Sequence, residues 1–198
     1  MASLIEKVRK EQIVSTAIAA IAENGYINTP LSEIARRAGI SKGVISYYFG
    51  SKDDLIRDVI ERILQDEKAY LSGEIARGKT PSEKILIYIS SSFKYMETNR
   101  QSFEAIVDLW GSMTTHEKKL DFNKRSYDPC RKLLGKIIME GIERGEFAEI
   151  DVRLTASLIQ AMIDGLMIQW LFDAAAVDLG QASSAIEHAV RRYIFKKF

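Results

Sequence analysis

This chain of 198 residues contains little cysteine and little proline, and it has no long apolar run free of charge. Its single cysteine, Cys130, excludes an internal disulfide and suits a reducing compartment. Only three prolines interrupt a composition rich in helix-forming residues. The most apolar stretch, residues 161–176, is broken by Asp164 and Asp173, so no membrane span is expected. These features predict an all-α cytoplasmic protein with no membrane partner.

An excess of charge of one sign is also absent, since 28 basic residues face 27 acidic ones. Any nucleic-acid binding must therefore come from a local arrangement of basic side chains. Catalytic signatures are missing as well: Cys130 has no recognisable spacing to His116 or His188, and no phosphate-binding glycine loop or paired metal ligands occur. An enzyme is thus the weaker alternative, and neither a cofactor nor a metal is predicted.

Apolar residues at helical spacing predict about nine helices. The first, from about residue 5, should end at Asn24-Gly25, and Thr29 should cap a second helix that starts at Pro30. A third should start at Ser41. The fourth, from a capping box at Ser51–Asp54, should run to about residue 70.

Later helix starts are predicted by the same kinds of signal. Thr80–Glu83 forms a second capping box, and Asp151 should cap a helix that continues to about residue 176. The last helix should run from about residue 181. Residues 113–119 are predicted to form a loop. Pro129 either kinks the long helix that follows or marks its start, and the sequence leaves both open.

Two short helices around a tight turn at 38–40 suggest a helix-turn-helix within residues 29–52. In that motif the second helix enters the major groove of DNA. The alternative is ordinary helical packing, in which Tyr47 or Tyr48 would belong to the core. The DNA-contact candidates are Thr29, Ser32, Ser41, Lys42, Gly43, Ser46, Tyr47, Tyr48 and Lys52.

Residues 12–55 closely resemble the DNA-binding domain of the tetracycline-repressor (TetR) family. One difference is Ser46, where many members carry tyrosine. The matching positions are Gly25-Tyr26, Thr29, Ile34-Ala35, Ala38 to Gly43, Tyr47-Tyr48-Phe49, Lys52 and Leu55. The resemblance implies a DNA-binding domain at 1–50 and a helical ligand-binding and dimerisation domain at 51–198, with helix 51–70 connecting the two.

The last two predicted helices suggest self-association. Residues 163–172 resemble a stretch in the penultimate helix of one branch of the family, and this helix is apolar almost all round after Asp164. The final helix carries apolar residues on one side only. Two such helices from each of two copies could form a four-helix bundle, although core packing within a monomer is the alternative.

Aromatic and methionine residues of the second domain could line an apolar cavity, although each alone could equally be core filler. The candidates are Phe93, Met96, Phe103, Trp110, Tyr127 and Trp170. Together with the family resemblance, these candidates lead us to expect a ligand-responsive transcriptional repressor. It would bind a palindromic operator in double-stranded DNA as a homodimer, and a small, largely apolar effector would release it.

Overall fold

The structure is a computed structural model, and it describes residues 4–196. Within this range the chain forms nine α-helices and no β-strand, which confirms the predicted all-α class. The helices are α1 (Leu4–Asn24), α2 (Leu31–Arg37), α3 (Lys42–Tyr48), α4 (Lys52–Ile75), α5 (Pro81–Thr98), α6 (Arg100–Gly111), α7 (His116–Glu143), α8 (Val152–Phe172) and α9 (Leu179–Ile194).

The helices form two compact units, which we call unit 1 and unit 2. Unit 1 comprises residues 1–66 and 99–119, and unit 2 comprises residues 67–98 and 120–198. Helices α4 and α7 therefore each contribute residues to both units. Helix α6 belongs to the same unit as α1–α3, whereas the sequence placed residues 51–198 together in a second domain.

Unit 1 is built around α1, which buries Ile13, Ala17 and Ile21 and packs against α2 and α6. The chain turns sharply after α1 at Gly25, whose φ of 77° favours glycine. The next residue, Tyr26, is bound by α6: its backbone N–H donates a hydrogen bond of 2.6 Å to the Asp108 carboxylate. The loop before the helix-turn-helix is thus fixed to α6.

Unit 2 has its core between α5, α8 and α9. The chain between α7 and α8 is fixed by Phe147, which is fully buried. A Cβ atom added at Gly141 would lie 2.1 Å from this ring, so only glycine fits at that position of α7. Backbone bonds from Ala148 to Ile194 and from Lys196 to Glu146 then join this segment to the end of α9.

Most predicted helix starts are confirmed by their capping bonds. Ser41 Oγ accepts from Val44 N, Ser51 Oγ from Asp54 N, and Thr80 Oγ1 from Glu83 N. Glu83 Oε2 in turn accepts from Thr80 N, which completes the predicted capping box. Asp151 Oδ1 likewise accepts from Leu154 N. These bonds link residues only three apart, which is why a sequence pattern can predict them.

Four boundary predictions were wrong. Helix α2 starts at Leu31 with Pro30 as its cap, because the Thr29 hydroxyl bonds to the end of α1 instead of capping α2. Residues 116–119 belong to α7 and not to a loop. Helix α4 extends to Ile75, past the predicted end near residue 70, whereas α8 stops at Phe172. The Pro129 alternatives are settled in favour of a proline inside α7.

One described helix, Val152–Phe172, is long and apolar enough to cross a membrane by length and composition alone. A core helix of a soluble protein meets the same criteria. Here the helix packs against α5 and α9 within unit 2.

Candidate DNA interface and effector site

Helix α3 presents a polar face on the surface of unit 1. Its start is capped by Ser41, and Ile45, which is fully buried, anchors the opposite side. With that side fixed in the core, the other side points away from the protein. The exposed residues on and next to α3 are Ser41, Lys42, Gly43, Ser46 and Tyr47. The structure therefore brings five of the nine DNA-contact candidates together on one surface.

The two tyrosines at the end of α3 have different environments. Tyr47 is 74% exposed, whereas Tyr48 is half-buried. Their rings lie 5.1 Å apart at 87°, an edge-to-face contact in which Tyr48 supports Tyr47. The alternative that Tyr47 belongs to the core is therefore wrong.

Thr29 and Ser32 flank the start of α2 but differ in exposure. Thr29 is fully buried, and its hydroxyl donates to the Gly25 carbonyl at 2.7 Å and to the Ala20 carbonyl at 3.2 Å. A buried side chain cannot contact DNA, so the DNA contact predicted for Thr29 is corrected. Its role is structural, because its hydroxyl binds backbone carbonyls at the end of α1. Ser32 is exposed on α2.

Lys52, at the start of α4, is held by the loop after α1. Its Nζ donates to the Tyr26 carbonyl oxygen at 2.9 Å and lies 3.9 Å from the centre of the Tyr26 ring. Burial lowers the pKa of this ammonium group, and the charge of Asp53 partly offsets that effect. The lysine thus connects α4 to Tyr26, the residue whose backbone N–H is bound by Asp108.

The basic residues of unit 1 are not equally available to DNA. Arg36 and Arg37 both bind the Glu33 carboxylate at 2.7 Å, and hydrogen bonds from the two guanidinium groups lower the pKa of Glu33 to about 2. Arg37 also pairs with Glu23. Lys42, in contrast, is exposed and has no ion pair among residues 4–196. The charge best placed to meet a phosphate or a base is therefore that of Lys42.

The six effector-site candidates are divided between the two units. Phe103 and Trp110 lie on α6 in unit 1, the first buried and the second 43% exposed. The other four belong to unit 2, where three are buried and Tyr127 is half-buried. These four are Phe93 and Met96 on α5, Tyr127 on α7 and Trp170 on α8.

Tyr127 lines a cavity of about 400 Å³ within unit 2. The wall is more polar than the sequence suggested, and it is formed by α7 and α8. The lining residues are Asn123, Tyr127, Arg131, Ser157, Gln160, Ala161 and Asp164. Ligand pockets in proteins commonly have volumes of this size.

A chain of hydrogen bonds joins this wall to the interior of unit 2. The Tyr88 hydroxyl donates to Gln160 Oε1 at 2.6 Å, and Gln160 Nε2 donates to Asp164 Oδ1 at 2.8 Å. Tyr127 also bonds to Asp164. Burial raises the pKa of Asp164 to about 6, although the bonds from Gln160 and Tyr127 oppose this rise.

A second carboxyl group, Glu67 on α4, belongs to the same cluster. Burial and the negative charge of Asp164 raise its pKa to about 7. Cys130 is affected in turn, because burial and the charge of Glu67 raise the pKa of its thiol to about 12. We call Glu67, Tyr88, Tyr127, Gln160 and Asp164 the acidic–tyrosine cluster.

Sequence reasoning missed most of this cluster. Asp164 could be noticed in the sequence, because it interrupts an apolar helix in which burying a charge is costly. Glu67 could not be noticed in this way, since it is one of many charged residues of α4. Its environment depends on side chains from α5, α7 and α8, and such contacts cannot be deduced from spacing along one helix.

Both parts of the chain match known protein families. Residues 13–59 match the family described as bacterial regulatory proteins, tetR family. Residues 81–194 match the C-terminal domain of BetI-type transcriptional repressors. The second match alone covers more than half of the chain.

Curated relatives agree with these families. The chain is 28% identical to the fatty acid metabolism regulator protein of Bacillus subtilis over 177 residues, which cover 88% of this chain and 90% of that protein. It is 27% identical to the HTH-type transcriptional regulator BetI of Brucella canis over 187 residues, covering 92% and 90% of the two chains.

Solved structures share the fold over nearly the whole chain. FadR from Bacillus subtilis, in complex with stearoyl-CoA, is 28% identical with a TM-score of 0.81, covering 91% of this chain and 96% of its own. A regulator from Saccharomonospora viridis, in complex with choline, is 22% identical with a TM-score of 0.86, covering 96% and 100%. The second likeness shows the fold alone. From these matches and the geometry of α2 and α3, the chain belongs to the tetR family of bacterial transcriptional regulators, with a C-terminal domain of the BetI type.

Proposed function

We propose that this protein is a ligand-responsive repressor that binds a palindromic operator as a homodimer in the cytoplasm. The observation that carries the proposal is the exposed polar face of α3, where Lys42 and Tyr47 project from a helix anchored by Ile45. Side chains at the start of such a helix reach base edges in the major groove. The match of residues 81–194 to BetI-type repressors supports repression as the mode of regulation, and the named relatives are regulators and not enzymes.

Replacing Lys42 tests the DNA-binding part. If Lys42 contacts a base, Lys42→Ala should weaken binding to the cognate operator by about 1–3 kcal/mol and affect random DNA much less. Fluorescence anisotropy with the DNA upstream of the protein's own gene measures this. Lys94→Ala, at an exposed lysine of α5 in unit 2, is the matched control. Equal losses on both DNAs would make Lys42 a phosphate contact, and no loss on either would remove it from the interface.

The homodimer is proposed from an apolar surface of unit 2. Leu154 and Leu158 on α8 and Tyr193 on α9 are large apolar residues, each more than 40% exposed. Between the two helices lies a groove whose lining contains mostly small or apolar side chains. Its residues are Ala161, Met162, Gly165, Leu166 and Gln169 on α8 and Ala185, Ile186 and Ala189 on α9.

A second copy of the chain is the proposed occupant of this surface. Small residues let helix backbones approach closely, and the flanking leucines and tyrosine would be covered by the equivalent residues about a two-fold axis. Four helices, two from each copy, would then form the interface. A dimer would also present two copies of α3 to the two halves of a palindrome.

A charged substitution in this surface tests the dimer. Leu158→Glu should give a monomer, because the interface would have to bury an unpaired carboxylate. Leu120→Glu is a matched control, since Leu120 on α7 is exposed to the same 43%. Sedimentation velocity gives the masses of both variants. A dimeric Leu158→Glu with the wild-type dissociation constant would place the interface elsewhere.

Effector binding is proposed for residues of the second domain. The sequence suggested a largely apolar ligand among Phe93, Met96, Phe103, Trp110, Tyr127 and Trp170. Of these we retain the four that lie in unit 2, Phe93, Met96, Tyr127 and Trp170, as candidates for one site. The stearoyl-CoA complex of FadR from Bacillus subtilis, which is 28% identical to this chain, supports an effector-binding role. Effector binding would then lower the affinity for the operator through its preference for one of two conformations.

A further inference from the structure

Tyr26, in the loop between α1 and α2, is held at both of its backbone polar groups by side chains of other helices. Its N–H donates to the Asp108 carboxylate on α6 at 2.6 Å. Its carbonyl oxygen accepts from the Lys52 ammonium on α4 at 2.9 Å. All three residues belong to unit 1. The backbone of Tyr26 therefore links a carboxylate of α6 to the lysine that the sequence placed at the DNA interface.

The bond from Asp108 fixes a part of the chain that lies outside the helices. Tyr26 follows Gly25, where the chain has left α1 with a φ of 77°, and its N–H makes no backbone hydrogen bond within residues 4–196. A carboxylate acceptor makes such a bond roughly twice as strong as one between neutral groups. Asp108 pairs with no basic side chain in the same range, so the bond to this loop is the one interaction of its carboxylate there.

The loop around Tyr26 is fixed by further hydrogen bonds. The Thr29 hydroxyl donates to the Gly25 carbonyl at 2.7 Å. The Asn28 side-chain amide donates to the Asn24 carbonyl at 3.0 Å. These bonds close the loop on either side of Tyr26, while Asp108 holds Tyr26 itself. The Tyr26 carbonyl oxygen therefore keeps a fixed direction, which a binding position for a cation requires.

Lys52 is ordered by these contacts within the protein itself. Its Nζ lies 3.9 Å from the centre of the Tyr26 ring, within the range of a cation–π interaction. The neighbouring acid, Asp53, pairs with Lys118 instead. An ammonium group has three donors, and the Tyr26 carbonyl takes one of them, so others remain for a phosphate oxygen. A lysine that is already ordered loses less conformational entropy when it binds a phosphate.

We propose that Asp108 is a positioning residue for DNA binding: through the backbone of Tyr26 it holds the Lys52 ammonium where it contacts a DNA phosphate. The inference rests on the proposed function, because it adds to that DNA interface a residue of α6 that does not itself contact DNA. The sign of the effect separates this role from a charge effect. Removing a negative charge near DNA would by itself strengthen binding, whereas losing the Asp108 bond should weaken it.

A double-mutant cycle tests whether Asp108 acts through Lys52. Affinities of the wild type, Asp108→Ala, Lys52→Ala and the double variant for the DNA upstream of the protein's own gene are measured by fluorescence anisotropy. Circular dichroism checks that each full-length variant is folded. Asp108→Ala should weaken binding by about three- to tenfold. The double variant should bind within about twofold of Lys52→Ala alone, whereas a merely structural residue would add its own loss.

Three further variants separate position from charge and from folding. Asp108→Asn keeps an acceptor for the Tyr26 N–H and should bind DNA within about twofold of the wild type. Glu104→Ala removes a carboxylate from the same helix, where it pairs with Arg100, and should not weaken binding. If Asp108→Ala does not fold, Asp108→Ser replaces it in the cycle, because the shorter side chain leaves room for water at the Tyr26 N–H.

Several results would overturn the inference. These are wild-type or tighter affinity in Asp108→Ala, losses that multiply in the double variant, no loss in Lys52→Ala, and a loss in Asp108→Asn or Glu104→Ala as large as that in Asp108→Ala.

Random DNA, titrated with the same samples, separates this inference from the proposed function. A wild type that binds both DNAs equally would refute operator recognition. The cycle on random DNA would then still decide the role of Asp108, since a phosphate contact needs no particular sequence. Specific binding by the wild type together with losses that multiply would do the reverse, and the proposed function would stand without the role of Asp108.

Discussion

The carboxyl group of Glu67 should make the stability of unit 2 depend on pH. Its pKa is about 7 in the folded protein, against 4.5 for the same group in water. The folded state therefore binds this proton more tightly than the unfolded state does. Its contribution to stability is fully present below pH 4.5 and is lost as the pH rises through 7.

The size of the effect follows from the shift. The difference, 7 − 4.5, is 2.5 pH units, and at 1.36 kcal/mol per unit this corresponds to about 3 kcal/mol in all. About 2 to 3 kcal/mol of it should be lost between pH 5 and pH 8. Glu67→Gln keeps the shape of the side chain but cannot ionise. The variant should therefore gain stability relative to the wild type as the pH rises, and match it more closely at pH 5.

Urea denaturation at pH 5, 6, 7 and 8, followed by circular dichroism, measures this difference. Glu97→Gln is the control, because it removes an exposed carboxylate from the same unit. The reasoning fails if Glu67→Gln changes the free energy of unfolding by the same amount at every pH. It also fails if the variant is less stable than the wild type at pH 8, since Glu67 would then have a stabilising partner.

Three further substitutions probe other contacts. Lys52→Ala should weaken binding to all DNA sequences about equally and reduce the slope of log affinity against log salt by about 1; an unchanged slope would exclude a phosphate contact. Asp108→Ala should lower the free energy of unfolding of unit 1, measured by urea denaturation, by about 1–3 kcal/mol, because the Tyr26 N–H loses its acceptor; wild-type stability would show that water replaces the carboxylate. Tyr127→Ala, if folded and dimeric, should bind operator without releasing it on addition of effector, because Tyr127 lines the cavity of unit 2; a normal response in the same anisotropy assay would remove Tyr127 from the effector site.

The sequence predicted best those features that depend on neighbouring residues. Ser41, Ser51, Thr80 and Asp151 each cap a helix through a bond to a residue three positions later, so residue type and spacing sufficed. Gly25 has the positive φ expected after a helix end.

Predictions failed where a more distant partner decides the local structure. The Thr29 hydroxyl could have capped α2, but Ala20 and Gly25 offer it carbonyl groups at the end of α1. For Pro129 the sequence left a helix start and a kink both open; α7 begins at His116 and continues through the proline, which removes one backbone donor from the helix interior. In both cases the residue has two acceptable local roles, and only the fold selects between them.

The candidate effector site was the least predictable feature for the same reason. Aromatic content predicted an apolar lining, and Tyr127 does line a cavity. The polar side chains beside it come from separate helices, with Tyr88 on α5 bonded to Gln160 on α8 across 72 residues of sequence. A carboxylate such as Glu67 becomes unusual only when those helices surround it.

In the proposed function, α3 must respond to effector binding in unit 2, and the contacts of α4 limit how it can do so. A tenfold loss of operator affinity requires about 1.4 kcal/mol of coupling. The ion pair at 2.9 Å between Asp53 at the start of α4 and Lys118 at the start of α7 is more than half exposed on both sides. Such pairs contribute about 0–1 kcal/mol, which is too little by itself.

Helix α4 offers a stronger connection. It is continuous from Lys52 to Ile75, with residues 52–66 in unit 1 and 67–75 in unit 2, so it is a covalent connection between effector binding in unit 2 and the helix-turn-helix. At that end the Lys52 ammonium donates to the Tyr26 carbonyl and lies over its ring, contacts that together are worth more than an exposed ion pair. The Tyr26 N–H is in turn bound by Asp108 of α6. Any displacement of the start of α4 must therefore either move the loop before α2 or break the bond to Tyr26, and both outcomes change how α3 is presented to DNA.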